Sequence, residues 1–197
     1  MKIKSLLFGG CLIASIACVV YSNSASSIEG WHMAGTNPKD YDLGKDTKIF
    51  HSGKSSAFMQ SNKETIQGFG TLMQTIKADS YLGKRVRMTG YIKVDNINGM
   101  AAMWMRVDSK DTPPIQLSFD NMSNRGISSA SDWKKCEIVL NVPANSGAIA
   151  FGVLLRGTGK IWFDDVQFEA VDLSVATTEM NMAPQFPSEP VNLGFEK

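Results

Sequence analysis

The sequence predicts an all-β protein, a two-sheet antiparallel β-sandwich of the jelly-roll type. Between residues 28 and 172, short segments rich in β-branched and aromatic residues alternate with turn signals such as HSGKSS, DNING and NVPANSG. About eight such segments occur, and no long stretch has the apolar period of a helix. So many short strands in one domain-sized segment favour two packed sheets over a small barrel.

Alternation of side chains assigns each strand a core face and an outer face, because successive side chains of a strand point to opposite sides of the sheet. The predicted core sets, in chain order, are Val86, Met88, Gly90, Ile92 and Val94; Ala101, Met103, Met105 and Val107; Ile115, Leu117 and Phe119; Cys136, Ile138 and Leu140; and Ile149, Phe151, Val153 and Leu155. The pattern is typical of half-buried antiparallel strands.

The first 27 residues have the layout of a secretory signal. Lys2 and Lys4 precede an apolar stretch over residues 6–21, and small polar residues follow it. This stretch is about sixteen residues long, against the roughly 20 of a spanning helix. Cleavage between residues 22 and 26 and retention as an N-terminal anchor both stay open, and Cys18 gives a weak likeness to a lipoprotein signal. We therefore predict an exported protein, secreted or associated with the cell surface, that meets a membrane only through this segment.

Composition and charge limit the size of the fold and its partners. The chain of 197 residues with 43% hydrophobic content suffices for one domain with a packed core, which we place at residues 28–172. Its 20 basic and 19 acidic residues give a formal net charge of +1 without long runs of either sign, so no nucleic-acid partner is predicted. Beyond the signal the sequence has one cysteine, Cys136, which excludes an internal disulfide.

Several short motifs follow one another along the chain: GW at 30–31, HSGKSSAFMQ at 51–60, LMQTI at 72–76, LGKRVRMTGYIKV at 82–94, DWKKCEIVL at 132–140 and IWFDDVQFE at 161–169. Their order resembles that of jelly-roll carbohydrate-binding modules and the wider galactose-binding-like group. The likeness covers nearly the whole predicted domain and is more specific for fold than for ligand.

The chain also resembles a group of bacterial domains that carry GTLMQ, WMRVD, FDNM and DDV in this order and are often named transcriptional regulators. A helix-turn-helix pattern is not visible in the sequence, and a signal precedes the domain. We therefore do not predict direct gene regulation.

The C-terminal residues 173–197 contain several prolines without periodicity, which predicts an extended tail. Modules of the resembled group usually begin with an Asn-Leu-x-Phe-Glu-like strand, whereas this chain carries NLGFE at 192–196. Three interpretations stay open: residues 191–196 fold back as an edge strand, the tail is the stub of a second module, or it completes the sheet of a partner chain. We expect a monomer, and the third interpretation would give strand exchange.

A ligand-binding surface is predicted around Trp104, which lies opposite the core face of its strand. If the strands lie in one sheet, as the resemblance implies, their outer residues converge. The candidate binding residues are Arg87, Tyr91, Lys93, Trp104, Arg106, Gln116, Asp120, Asn121 and Arg156. Small Ala150 and Gly152 on the same face would leave a groove. Sugars stack their C–H faces on aromatic rings while their hydroxyls bind planar polar groups, so such a face suits carbohydrate or another polar small ligand.

The same residues also have a structural interpretation. Trp104 could be covered by a loop or the tail, and Arg106 could pair with Asp120. Asp120 and Asn121 follow a strand, where such side chains bind hydroxyls or cap a turn. Trp133 and Trp162 open strands and are interpreted as packing residues.

A bulge is predicted at Asp164 and Asp165, because the two carboxylates interrupt the apolar alternation. In the resembled modules an Asp near this point holds a structural calcium together with groups of the opening strand. The resemblance therefore implies Asp165 as a calcium ligand, with Glu196 as a second one if the tail folds back. We expect no other cofactor.

Catalysis has little support in the sequence. A pair of glycosidase carboxylates cannot be chosen by spacing, and the chain lacks a Gly-x-Ser-x-Gly motif and a zinc-like cluster. We predict an exported non-catalytic module that recognises carbohydrate or a related polar ligand on a concave sheet face. The alternative is a structural or protein-interaction module of the cell envelope whose groove is filled by its own tail. An uncharacterised glycoside-active enzyme is a third possibility.

Overall fold

The computed structural model describes residues 28–179 and 192–194, which form an antiparallel β-sandwich. The strands are β1 His32–Gly35, β2 Tyr41–Asp46, β3 Ser56–Ser61, β4 Phe69–Lys77, β5 Lys84–Ser109, β6 Gln116–Asp120, β7 Ser131–Val142 and β8 Ser146–Val171. Helical structure in this part of the chain is limited to two three-residue 3-10 turns, Pro38–Asp40 and Asp79–Tyr81. None of the described helical segments has the length and apolar character needed to cross a bilayer. The predicted all-β sandwich is confirmed.

The two longest strands, β5 and β8, pair with each other and belong to both sheets. The first sheet has the order β1–β4–β8–β5–β6, with residues 146–156 of β8 beside residues 99–109 of β5. The second sheet has the order β2–β3–β8–β5–β7, with residues 160–171 of β8 beside residues 84–95 of β5. One bent ribbon therefore forms the centre of both layers.

The ribbon bends where both strands pass from one sheet to the other. The pairing register shifts between Asp95 and Asn98, and φ is positive at Gly99 (139°) and at Gly157 (80°). A Cβ at Gly157 would lie 2.2 Å from the carbonyl oxygen of Asn98. Glycine is needed at this corner because a side chain would both strain the backbone and collide with the facing strand.

The core lies between the inner faces of the two sheets. A Cβ on Gly90 of the second sheet would lie 3.0 Å from Met103 Sδ of the first, and the rings of Phe151 and Phe168 meet edge to face at 4.6 Å. The fully buried large side chains are Met59, Leu72, Val86, Met88, Ile92, Met103, Met105, Ile138, Leu140, Ile149, Leu155 and Ile161. Each contributes about 1.5–3 kcal/mol relative to exposure. Four of the five predicted core sets are buried here.

The fifth predicted core set, in β6, is wrong. Ile115 is 60% exposed and Phe119 faces outward, whereas Ser118 and Asp120 are buried. The reason is the register with β5, in which Ser118 lies opposite inward-facing Val107 and a register shift follows Val107. A buried carboxylate is tolerated at this position because it is hydrogen-bonded and paired, as described below.

The described part of the tail lies on the second sheet. After β8 the chain crosses β5, where Arg85 Nη1 donates to the carbonyl oxygens of Leu173 (2.5 Å) and Val175. It then reaches the edge of β7, where Thr178 N donates to Val139 O at 2.9 Å and Val139 N donates to Thr178 Oγ1 at 2.9 Å. Of the predicted edge strand, residues 192–194 are an exposed coil and turn. The rest of that strand, with Glu196 and the signal-like residues 1–27, lies outside the described residues.

Candidate functional site: a groove on the outer face of the first sheet

A groove of about 390 Å³ crosses the outer face of the first sheet. All five strands of that sheet contribute to it, together with the loop after β6. Its lining residues are Ala34, Gly35, Phe69, Thr71, Met73, Thr75, Met100, Trp104, Arg106, Asp108, Phe119, Asn121, Ser123, Ala150, Leu154 and Arg156. The groove is thus a mainly apolar surface with a few polar side chains, as ligand sites commonly are.

Trp104 lies near the middle of the groove and is held by the sheet. Its Nε1 donates to Thr71 Oγ1 at 2.7 Å, and the Thr71 hydroxyl donates to Val153 O at 2.8 Å. In register, Gly152 lies opposite Trp104 on β8, so no side chain crowds the indole from that strand. Because the polar edge of the ring is bonded within the protein, the half-buried indole offers the groove its apolar surface.

Arg106 lies beside the indole, two residues further along β5. Its Nε and Nη2 each lie 3.0 Å from Asp108 Oδ2, and the side chains are 32% and 15% exposed respectively. The structure therefore pairs Arg106 with Asp108 and not with Asp120. A guanidinium has five N–H donors, so this pairing leaves donors that can meet a ligand.

Arg156 and Asn121 complete the polar part of the lining. Arg156 lies opposite Phe69 on β4 and Met100 on β5, and its side chain is exposed. Asn121 follows β6, and its Oδ1 accepts a hydrogen bond from Ser123 N at 3.1 Å. The amide nitrogen of Asn121 remains a donor for the groove.

Two predicted binding residues, Arg87 and Tyr91, lie on the outer face of the second sheet. Arg87 pairs with Glu137 at 3.1 Å and Glu169 at 2.8 Å, and the Tyr91 ring stacks on His51 at 3.6 Å. Their predicted convergence with Trp104 is wrong, because β5 changes sheets between these residues and Trp104. Lys93 is on that second face as well.

Asp120 and Gln116 are also absent from the groove. The Asp120 side chain is 0% exposed. Its Oδ2 accepts from Arg125 Nη2 at 2.5 Å, and its Oδ1 accepts from Met122 N at 2.8 Å. Gln116 is the exposed first residue of β6; it lies opposite Asp108 and outside the lining of the groove. The predicted convergence of Asp120 with Trp104 is wrong, since its carboxylate anchors the loop after β6 from inside.

Much of the apolar lining was not predicted from the sequence. Phe69, Thr71 and Met73 are every second residue of β4 and share its outer face. The two-residue period of GFGTLMQTI was the signal that could have found them. Phe119 was predicted in the core, but it lies opposite outward-facing Arg106 of β5 and therefore faces outward too. Met100 lies at the corner of the ribbon, where alternation gives no guidance.

A second polar cluster fixes the loop between β2 and β3 to the second sheet. His51 Nδ1 lies 2.5 Å from Asp165 Oδ2, and Ser52 Oγ donates to Asp165 Oδ1 at 2.6 Å. His51 N donates to Asp164 Oδ2 at 2.8 Å. These contacts, the Ser52 hydroxyl first and His51 second, lower the pKa of Asp165. The predicted bulge is present, because φ is 51° at Asp165 and the register with β5 shifts there.

The calcium site stays a prediction. Both Asp165 oxygens accept hydrogen bonds from the β2–β3 loop, and Glu196 lies outside the described residues. Within residues 28–179 and 192–194, no group of three or more His, Cys, Asp or Glu side chains is placed to hold a metal ion.

The cysteine of the domain is buried in the core. Burial raises the pKa of the Cys136 thiol to about 11. A thiol is a poor nucleophile when it stays protonated at neutral pH. The arrangement is that of a packing residue.

Comparison with curated proteins relates the chain to parts of longer proteins. No family model matches it. It is 44% identical over 171 residues to the uncharacterized HTH-type transcriptional regulator YbfP of Bacillus subtilis (strain 168), covering 86% of this chain and 57% of YbfP. It is 27% identical over 115 residues to the tRNA(Glu)-specific nuclease WapA of Bacillus subtilis subsp. natto, covering 56% of this chain and 5% of WapA. The chain thus spans just over half of YbfP and a small part of WapA. A helix-turn-helix has no counterpart in the described part of this chain.

Comparison with solved structures identifies the fold. The family 22 carbohydrate-binding module at the C-terminus of Clostridium thermocellum Xyn10B matches with a TM-score of 0.52 at 11% identity, over 73% of this chain and 87% of that one. The protein shares the jelly-roll fold of these modules. The CBM22-2 xylan-binding domain of Paenibacillus barcinonensis Xyn10C has a TM-score of 0.52 at 16% identity, over 74% of this chain and 94% of that one. The enzymatically active domain of tailspike protein 4 from bacteriophage CBA120 has a TM-score of 0.56 at 13% identity, over 77% of this chain and 21% of that one.

Proposed function

We propose that this chain is an exported, non-catalytic module that binds carbohydrate in the groove around Trp104. The observation that carries the proposal is an indole whose N–H is bonded to Thr71 while its apolar surface borders an open groove. Arg106 and Asn121 provide hydrogen-bond donors in the same groove. A ring for stacking and planar donors for hydroxyls together meet both needs of sugar recognition.

The names of the structural neighbours support this proposal. Two are described as a family 22 carbohydrate-binding module and a xylan-binding domain. At 11% and 16% identity they support the fold alone, so the ligand class rests on the lining of the groove. The tailspike neighbour is described as enzymatically active, and hydrolysis is therefore assayed alongside binding.

A protein-interaction module with a groove filled by its own tail is the second candidate. In the described part of the tail, Leu173 and Val175 contact Arg85, and Thr178 contacts Val139. All three contacts are on the second sheet, and of residues 172–179 none lines the groove. The described residues 172–179 of the tail therefore do not fill the groove.

Binding of the full chain to a panel of purified polysaccharides tests the proposal, with calorimetry as the readout. Trp104→Ala should weaken binding about tenfold or more, because a stacked ring contributes on the order of 1 kcal/mol beyond the area it buries. The matched control is Trp133→Ala, which removes an indole that contacts His51 on the second sheet at 5.7 Å. Equal affinities for Trp104→Ala and wild type, with both folded by circular dichroism, would rule the groove out as a sugar site.

A further inference from the structure

We infer that the glycan held in this groove is an acidic polysaccharide whose anionic group pairs with Arg156. This inference rests on the proposed function and narrows its ligand class. It follows from the one unpaired charge of the described groove lining and from its distance to Trp104 along the strands.

Arg156 differs from the other arginines of the chain. The other four have partners: Arg85 binds Asn141 and tail carbonyls, Arg87 binds Glu137 and Glu169, Arg106 binds Asp108, and Arg125 binds Asp120. Among the described residues, Arg156 has no hydrogen bond or ion pair and lines the groove. Asp108 already pairs with Arg106, so the described lining has an excess of one positive charge.

The surroundings of Arg156 favour an anion over a neutral hydroxyl. In register, its neighbours across the strands are Phe69 and Met100, and neither of these apolar side chains competes with a ligand for the guanidinium. A guanidinium is planar and binds carboxylate, phosphate or sulfate through two parallel hydrogen bonds. The site is therefore complementary to an anionic substituent.

The spacing along the sheet indicates a polymer and not a single sugar. Arg156 lies opposite Met100 on β5, and Met100 precedes Trp104 by four residues. At about 3.3 Å per strand residue, the backbone at Trp104 lies roughly 13 Å further along the sheet than the backbone at Met100 and Arg156. A sugar stacked on Trp104 and an anion bound to Arg156 then belong to different units of one chain lying along the strands.

Calorimetric titration of the full chain with matched polymers tests the inference. The probes are polygalacturonate, its fully methyl-esterified form and a phosphomannan, each at low and high salt. Wild type should bind at least one anionic polymer about tenfold or more tightly than the neutral one, and added salt should reduce the difference. Arg156→Gln should remove the preference, whereas the control Arg87→Gln, on the other sheet, should keep it. The two anionic polymers distinguish carboxylate from phosphate.

Two results would overturn the inference and separate it from the proposed function. Equal binding of charged and neutral polymers, or an undiminished preference in Arg156→Gln, refutes the acidic ligand. The proposed function then still stands if Trp104→Ala abolishes binding of the neutral polymer. Failure of wild type to bind any polysaccharide would refute both.

Discussion

Replacement of Asp120 by asparagine tests whether this residue belongs to the scaffold and not to the binding surface. The carboxylate is 0% exposed and accepts three hydrogen bonds: from Met122 N at 2.8 Å, Arg125 Nη1 at 3.2 Å and Arg125 Nη2 at 2.5 Å. Asparagine can keep an oxygen for Met122 N and Arg125 Nη1. It places an amide N–H₂ against the donor at Nη2, so one strong bond becomes a contact between two donors.

The expected loss of stability is intermediate between a surface and a core effect. A hydrogen bond to a charged group contributes about 1.5–3 kcal/mol, and breaking a buried ion pair costs about 3–5 kcal/mol. Arg125 is 33% exposed, so its guanidinium regains water and the cost is reduced. We expect Asp120→Asn to lower the free energy of unfolding by about 2–3 kcal/mol and Tm by about 5–10 °C.

Urea denaturation followed by tryptophan fluorescence measures this loss. The matched control is Asp132→Asn, which removes a carboxylate that pairs with Lys93 and is 83% exposed, and its urea midpoint should not move. Polysaccharide affinity should be unchanged in both variants below their transitions. Identical midpoints for the two variants, or a loss of binding confined to folded Asp120→Asn, would refute this reasoning.

Two further predictions concern the second sheet. Deletion of residues 173–197 should lower the free energy of unfolding by about 2–3 kcal/mol in calorimetric melts, because Val139 loses two hydrogen bonds and Arg85 loses its carbonyl partners; a tail that only hangs free would leave Tm unchanged. Asp165→Asn should destabilise the protein at neutral pH and progressively less below pH 4. The reason is that the pKa of Asp165 is lowered in the folded protein, so its carboxylate adds stability above the unfolded pKa of about 3.9 and loses this contribution as the pH falls through the folded pKa. Parallel urea-midpoint curves for variant and wild type from pH 7 to pH 3 would contradict this.

The parts of the fold that depend on local alternation could be predicted from the sequence. Met103, Met105 and Val107 are fully buried and Trp104 and Arg106 line the groove, because a strand exposes every second residue. The bulge at Asp165 could also be predicted, since two adjacent carboxylates break that period.

Two of the errors have nonlocal causes. Phe119 and Asp120 exchange faces because pairing with β5 sets Phe119 opposite outward-facing Arg106 and Asp120 opposite inward-facing Met105; a register one residue off would invert every side chain of the strand. Arg87 and Tyr91 are separated from Trp104 because one strand of 26 residues serves two sheets. The DNING signal at 95–99 marks the corner, but it does not show that the strand continues into a second sheet. The pairing of Arg106 with Asp108 has a local cause, since both residues lie two apart on one face of β5, whereas the structural interpretation named Asp120 as the partner.

The ribbon of β5 and β8 has a consequence for how the module can change. Each of these strands is 26 residues long and takes part in both layers, so neither layer is an independent folding unit. Recombination therefore cannot exchange the sheet that carries the groove while keeping the sheet covered by the tail. The lining of the groove can change only by replacement of single outward side chains and loops on a shared frame.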